Sequence, residues 1–326
     1  MSLSFCLYPF AFFMSQLTNT VLMIKPYKFG FNPDAAETNS FMQSDGALSL
    51  AEREDIAARA AREFADFTAL LRSHNLHVVE IEDTPSPHTP DSIFPNNWIS
   101  THADGRVVLY PMEPPNRRLE RREEVITAVQ RAGGQWKRED LSGFEADEIF
   151  LEGTGSLVLD RANQIAYANR STRMHSQALK RFCEVMNFIP IEFSSLRTGG
   201  GGQIYHTNVM MAVGEQTSVV CAEVIRNPGE RAMVLDALKA RQKVVIEISE
   251  AQMDEFAGNM LQLRNDEGQR FWIMSSRAHS ALLPEQIASL QHDSVILHTD
   301  LDVIERFGGG SARCMLAEIF ATMPAT

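Results

Sequence analysis

Cysteine is scarce in this chain, and the few residues present are isolated. The four, Cys6, Cys183, Cys221 and Cys314, form no CxxC pair and no His/Cys cluster at zinc spacing. This argues against a disulfide framework or a structural metal and fits a reducing cytoplasm. No block of Lys and Arg interrupts a chain of formal net charge −12, so neither nucleic acid nor an anionic membrane is an expected partner. Small molecules are. No apolar run is long enough to cross a bilayer: the stretch from Leu3 to Phe13 is apolar and aromatic, but it lacks a basic lead-in and a clear small-residue cleavage site. Residues 1–19 are read as an N-terminal extension without fixed structure, and residues 20–326 as one domain. Phosphate loops are missing too, because neither glycine run, 199–202 or 308–310, leads into Gly-Lys-Ser/Thr.

What the chain does contain is a repeat. Trp98 to Ser100 and Val107 to Tyr110 flank Ala103-Asp104-Gly105, a hairpin signal. A helical pattern from Leu119 to Arg131 ends at Gly133-Gly134, and a return strand is expected over 135–138. The same order of strand, strand, helix, strand recurs three times. The second copy has its hairpin at Ser156 to Leu159 and Ile165 to Ala168, its helix at Ser176 to Met186 and its strand at Ile189 to Phe193. The third has strands at Asn208 to Val213 and Ser218 to Val224, a helix from Pro228 and a strand at Val244 to Ile248. The fourth runs from Met260 through Arg270 to Met274, Pro284 to Leu290 and Val295 to His298. Ahead of these, Val21 to Ile24 reads as a strand, Ser49 and Glu52 as the capping box of a long helix, and His77 to Ile81 as a strand. The first unit therefore lacks one strand, and the last segment, Cys314 to Phe320, is a strand with nothing after it. Together they make a fifth copy. The expected fold is α/β, a closed ring of five ββαβ units in which the C-terminal strand completes the first unit.

Equivalent positions of a closed ring converge on its axis, and the residues ahead of each first hairpin strand are unusual. They are Asp91 with Asn96 and Asn97, Glu152-Gly153-Thr154-Gly155, Tyr205-His206-Thr207-Asn208, Gly258-Asn259, and Arg313-Cys314. Taken singly, His206 reads as a strand-end histidine bonded to backbone, Glu152 as a turn residue and Cys314 as small core filler. Taken jointly, they supply a nucleophile, a proton shuttle and an orienting carboxylate in one cleft.

These residues resemble the guanidine-modifying enzymes of the pentein superfamily, among them dimethylarginine dimethylaminohydrolases, arginine deiminases and amidinotransferases. Pro90-Asp91-Ser92-Ile93-Phe94 is similar to the segment carrying substrate-binding acids, and Leu151-Glu152-Gly153-Thr154-Gly155 to the acidic-Gly-Gly turn. Ser171-Thr172-Arg173 is similar to the strand-end arginine that holds the substrate carboxylate, and His206 and Cys314 match the histidine and the nucleophile. The resemblance covers roughly residues 20 to 322 and implies the five-bladed α/β propeller. One departure matters. Where dimethylargininases carry two carboxylates after the Phe, this chain has Asn96 and Asn97. A buried cation without a countercharge costs on the order of several kcal/mol, whereas amides match a neutral ureido group. Phe94-Pro95-Asn96-Asn97-Trp98 also resembles the citrulline hydrolase branch.

The expected reaction is hydrolysis of citrulline to ornithine, carbon dioxide and ammonia through a covalent intermediate on Cys314. In it His206 moves protons, Glu152 orients His206, and Asn96 and Asn97 hold the ureido group. Arg173 with Arg117 or Arg118 would clamp the α-carboxylate, and Asp91 would take the α-amino group. No metal or organic cofactor is required, and the oligomeric state is left open, a homodimer included. The competing expectations are a guanidine hydrolase or amidinotransferase using Asp91 as countercharge, and a non-catalytic propeller that binds a partner.

Overall fold

The computed structural model describes residues 15–44, 46, 48–134, 137–200 and 202–321. The chain opens with β1 (Thr20–Lys25), helix α1 (Leu50–Ser73) and β2 (His77–Glu82). Ser49 and Glu52 close a reciprocal capping box at the start of α1, and Ile56, Ala60, Phe64, Phe67 and Leu71 bury one face of it. The second unit has β3 (Ile99–His102), β4 (Arg106–Leu109), α2 (Glu123–Gly133) and β5 (Lys137–Asp140). The third has β6 (Leu157–Asp160), β7 (Ile165–Arg170), α3 (Ser176–Met186) and β8 (Ile189–Ser194). The fourth has β9 (Met211–Val213), β10 (Thr217–Val220), α4 (Pro228–Ala240) and β11 (Val244–Glu247). The fifth has β12 (Leu261–Arg264), β13 (Arg270–Ser275), α5 (Pro284–Gln291) and β14 (Val295–Thr299), and a last strand, β15 (Ala317–Ile319), follows.

Among the described residues these strands form five three-stranded sheets. In four of them the first two strands pair antiparallel as a hairpin, and the second pairs parallel with the third after the helical crossover. The remaining sheet has the order β15, β1, β2: β15 lies antiparallel to β1 with Val21 opposite Glu318, and β1 lies parallel to β2. The C-terminal strand thus takes the place of the missing first strand, and the expected five-bladed fold is present.

Burial follows the ring. β3, β6 and β9 are buried throughout, whereas β8, β11 and β14 alternate between exposed and covered positions. The first strand of each sheet is therefore inner and the third outer. β15 contacts β3, and β9 contacts both β6 and β12.

Two expectations need correction. The extension expected over 1–19 does not reach residue 19, because Gln16, Leu17 and Thr18 are buried. Gln16 Nε2 donates to the Leu159 and Val213 carbonyls, and Thr18 Oγ1 donates to the Ile319 carbonyl, so this segment crosses the ends of several inner strands. Residues 1–14, with the apolar opening run, lie outside the described residues. So do 135 and 136 of the expected return strand, which is found at β5. The second correction concerns the strands expected from Asn208 and from Cys314. These begin only at Met211 and Ala317, after a helical turn at Thr207–Met210 and a turn over 312–315.

A chain ending before Gly308 should fail to fold. It would lose β15 and with it Met315, Leu316, Ile319 and Phe320, all at most 3% exposed, each worth about 1.5–3 kcal/mol of burial against a total stability of about 5–15 kcal/mol. A cooperative thermal transition in the truncated chain, followed by circular dichroism, would contradict the closed ring.

Candidate active site

A tight turn precedes each inner strand, and these turns carry the polar residues. They are Pro95–Asn97, Gly153–Ser156 with Glu152 just ahead of it, Thr207–Met210 with His206 just ahead of it, the turn before Asn259, and the turn over 312–315 that holds Cys314. A first helical turn leaves backbone groups unpaired and its cap residue at the sheet end. That is how five sequence-distant segments aim side chains at one point.

Cys314 is buried, 3% exposed, and its Sγ accepts from two amides: Asn259 Nδ2 at 3.2 Å and Asn208 Nδ2 at 3.5 Å. The Asn259 amide is fixed, since its Nδ2 also donates to the Asn208 carbonyl and its Oδ1 accepts from Arg313 N. The other two described cysteines lack this setting, and burial pushes both Cys183 and Cys221 up to about 12.

His206 Nε2 lies 2.8 Å from Glu152 Oε2. The other oxygen of Glu152 accepts from Glu113 N at 3.0 Å, and Arg173 Nη1 stands 3.4 Å from Oε2. Burial works against the Glu152 carboxylate, but Arg173, the His206 hydrogen bond and Arg117 outweigh it and hold the group at about 2. Burial pushes His206 down to about 4; Glu152 pulls the other way, while Arg173 and Arg117 add to the depression. At neutral pH the pair is a carboxylate receiving the Nε2 proton of a neutral imidazole, and Nδ1 keeps its lone pair. A Cβ on Gly155 would meet the His206 ring at 2.8 Å and Asn97 Nδ2 at 2.4 Å, so only glycine lets this ring and this amide lie side by side.

A narrow cavity is lined by Asp91, Phe94, Asn97, Arg117, Arg173, Tyr205, His206 and Cys314, with Asn39 and the glycines 308–310. Six of the nine candidate residues are therefore gathered there, and Glu152 stands behind His206. Asn97 is held by Arg117, whose Nη1 donates to Asn97 Oδ1 at 2.7 Å. A guanidinium is donor-only, so the amide can turn just one way: oxygen to Arg117, and the NH2 group, which has no protein partner, away from it. Asp91 accepts from Asn32 Nδ2 through Oδ2 and leaves Oδ1 without a partner. Burial raises its pKa against the pull of Arg117.

Three expectations change. Arg118 does not line the cavity: it donates to the Met112 and Glu113 carbonyls and lies over the Phe150 ring, on the outer side of its turn. Arg117 does line it, but its donors go to Glu120 at 2.8 and 2.9 Å, to Asn97 and to the Asp91 and Phe94 carbonyls, which makes it a brace for the Asp91–Asn97 loop. Asn96 is fully buried yet is not among the cavity-lining residues; its backbone carbonyl accepts from Thr154 Oγ1. Arg173 lines the cavity and shares its donors among the Ala35 carbonyl, Thr38 and Glu152, with Glu113 at 3.2 Å.

Sequence reasoning passed over the two thiol-facing amides, although Asn208 and Asn259 stood at the repeat position that gave the others. It left open whether the loop from Lys28 to Leu48 closes over the site; from that loop Asn32 reaches Asp91, Thr38 reaches Arg173 and Asn39 Nδ2 reaches the Gly309 carbonyl. Only its richness in Asn and Ser signalled polar contacts.

Fold and site together define a guanidine-modifying enzyme of the pentein superfamily. The profile of the family described as eukaryotic N,N dimethylarginine dimethylhydrolase matches residues 25–321, and the chain belongs to that family. Among curated proteins none matches in sequence. Of solved structures, ArgZ, an arginine dihydrolase from the ornithine-ammonia cycle in cyanobacteria, superposes with a TM-score of 0.71 at 14% identity over 94% of this chain and 41% of its own. The N-terminal domain of ArgZ bound to substrate gives 0.68 at 14% identity, over 93% of this chain and 98% of that domain. A dimethylarginine dimethylaminohydrolase, as an adduct with S-methyl-L-thiocitrulline, gives 0.62 at 14% identity over 92% of this chain and 99% of that one. This chain thus spans about two-fifths of full-length ArgZ. No helix among the described residues is long and apolar enough to cross a membrane.

Proposed function

We propose that this hydrolase cleaves the ureido group of citrulline, giving ornithine, carbon dioxide and ammonia. The observation that carries the reading is the fixed orientation of Asn97. Its free NH2 group is a donor, and a donor meets the carbonyl oxygen of a ureido group, whereas a guanidinium, itself all donors, finds no acceptor there. The named activity of ArgZ, arginine dihydrolysis, keeps arginine as the second reading, with Asp91 as the countercharge.

Cys314 gives its thiol proton to His206 Nδ1 as sulfur attacks the ureido carbon. Asn97 Nδ2 receives the developing oxyanion, and Glu152 stabilises the imidazolium. The imidazolium then protonates the δ-nitrogen, the C–N bond breaks, and ornithine leaves an S-carbamoyl cysteine. Water, deprotonated by His206, attacks that carbonyl and releases the thiol and carbamate, which falls apart to carbon dioxide and ammonia. Asp91 Oδ1 is the acceptor offered to the α-amino group, and Arg173 takes the α-carboxylate by exchanging the Thr38 hydroxyl. Chemistry of this kind needs no metal or organic cofactor. Tyr205 packs against both His206 and Arg173, its ring centroid 4.6 Å from that of His206 at a 45° tilt and 5.0 Å from the Arg173 guanidinium carbon.

Glu152→Gln should lower kcat about 10²–10⁴-fold with KM little changed, because the imidazolium forms only during turnover. The acid limb of kcat/KM in the native enzyme should fall near pH 4, where His206 titrates in the fold, and not near its ordinary value. Stability follows the same direction. Unfolded His206 and Glu152 bind protons at higher pH than the folded groups do, so acid weakens the fold from the ordinary histidine range downward. A pH–rate profile with its acid limb near 6.5 would contradict the neutral-imidazole assignment.

A further inference from the structure

Arg313, the residue before the catalytic Cys314, lines a second, narrow cavity together with Gln16, Arg161, Gln262 and Glu318, with apolar walls from β6, β9 and β12. Its charges do not balance. Arg161 and Arg313, 3% and 8% exposed, share one carboxylate: Glu318 Oε2 is 2.9 Å from Arg313 Nη2 and 3.5 Å from Arg161 Nη2, and Glu318 Oε1 is 3.4 Å from Arg161 Nε.

The neighbouring groups do not supply the missing negative charge. His102 Nδ1 stands 3.1 Å from Arg161 Nη1 as a neutral acceptor, since burial holds it well below the ordinary histidine value. Asp160 is matched by Lys243 at 3.4 Å. The remaining contacts of the two guanidinium groups are carbonyls, Thr101 at 3.3 Å for Arg161 and Leu316 at 2.7 Å for Arg313, together with the Phe320 ring 4.5 Å from Arg161. Carbonyls and a ring face satisfy N–H groups but leave one full positive charge in a buried, partly apolar chamber, where an uncompensated ion is costly.

We infer that this chamber is a binding site for a small monovalent anion, of the size of chloride or bicarbonate, seated between the Arg161 and Arg313 guanidinium groups. The site is separate from the catalytic cavity and shares none of its lining side chains. It is coupled to that cavity through one residue, because Arg313 N is held by the Asn259 amide that also donates to Cys314 Sγ.

The test uses the full chain in sodium gluconate at fixed ionic strength, with gluconate replaced stepwise by chloride or by bicarbonate. The melting temperature should rise saturably with at least one of them, and a crystal soaked in bromide should show anomalous density between the two arginines. Bicarbonate acting alone would support the site with an oxyanion as occupant. Arg161→Gln brings the net charge to zero and should weaken the saturable effect roughly tenfold or more. Glu318→Gln moves the charge the other way and should make the fold more anion-dependent, so failure of one variant to fold leaves the other as the readout. A melting temperature indifferent to both anions in the native chain, or an anion response unchanged in Arg161→Gln, would overturn the inference.

Discussion

Cys314→Ser should abolish ornithine formation, by roughly 10⁴-fold or more, while leaving the fold and the affinity for substrate in place. The sulfur is buried under two amide donors, Asn208 and Asn259, beside a histidine whose free nitrogen is unprotonated at neutral pH. A serine hydroxyl in the same place is a far weaker acid and gives up its proton only at a high barrier. Labelling provides a second check on the same thiol. A haloacetamidine should modify Cys314 and spare Cys183 and Cys221, whose thiols burial pushes up to about 12. Equal labelling of all three, with no ornithine formed by the native chain, would return the chain to the class of silent propellers, and full activity of the serine variant would contradict Cys314 as nucleophile.

Asn97→Asp should move specificity from citrulline towards arginine and methylarginine. The substitution replaces the one free NH2 group of the site with a carboxylate oxygen, while Arg117 can still hold the other oxygen at the Oδ1 position. Loss of a single oxyanion donor costs about 10²–10³-fold in kcat. The new carboxylate supplies the countercharge that a guanidinium requires, so the ratio of arginine to citrulline kcat/KM should rise by more than the citrulline loss alone. Arg117 makes the experiment clean. With Glu120 bidentate on its far side, it cannot swing away to leave the side chain free to turn. If Asn97→Asp lowers the turnover of both substrates equally, the side chain is a packing element and the donor argument is wrong.

The repeat was legible because glycines and hairpin signals punctuate it at regular intervals, and a ring of like units needs a partner for every strand. That requirement alone pairs the chain's two ends. The clustering of the candidate residues was legible for the same reason, since one repeat position holds Glu152, His206 and Cys314. What stayed hidden was the local backbone. Runs such as Asn208 to Val213 are apolar on every side, and a one-turn helix followed by a strand has no periodicity to set it apart from a longer strand. The arginines were hidden for another reason. Arg117 and Arg118 are adjacent, and only the rise of the turn at Pro115–Glu120 decides which of them faces inward. The loop over 29–39 was unreadable as part of the site because Asn32 and Asn39 are buried by partners more than fifty residues away, Asp91 and Gly309. Nor could sequence show that Gln16 reaches across two inner strands, since the residues around it carry no repeat signal.

The account rests most directly on the substrate. Purified protein should be incubated separately with citrulline, arginine, monomethylarginine and dimethylarginine, and ornithine, citrulline and ammonia followed in each. The account predicts ornithine from citrulline with one equivalent of ammonia, and little or no product from the three guanidines. Turnover of arginine or a methylarginine, with citrulline untouched or accumulating, would contradict it.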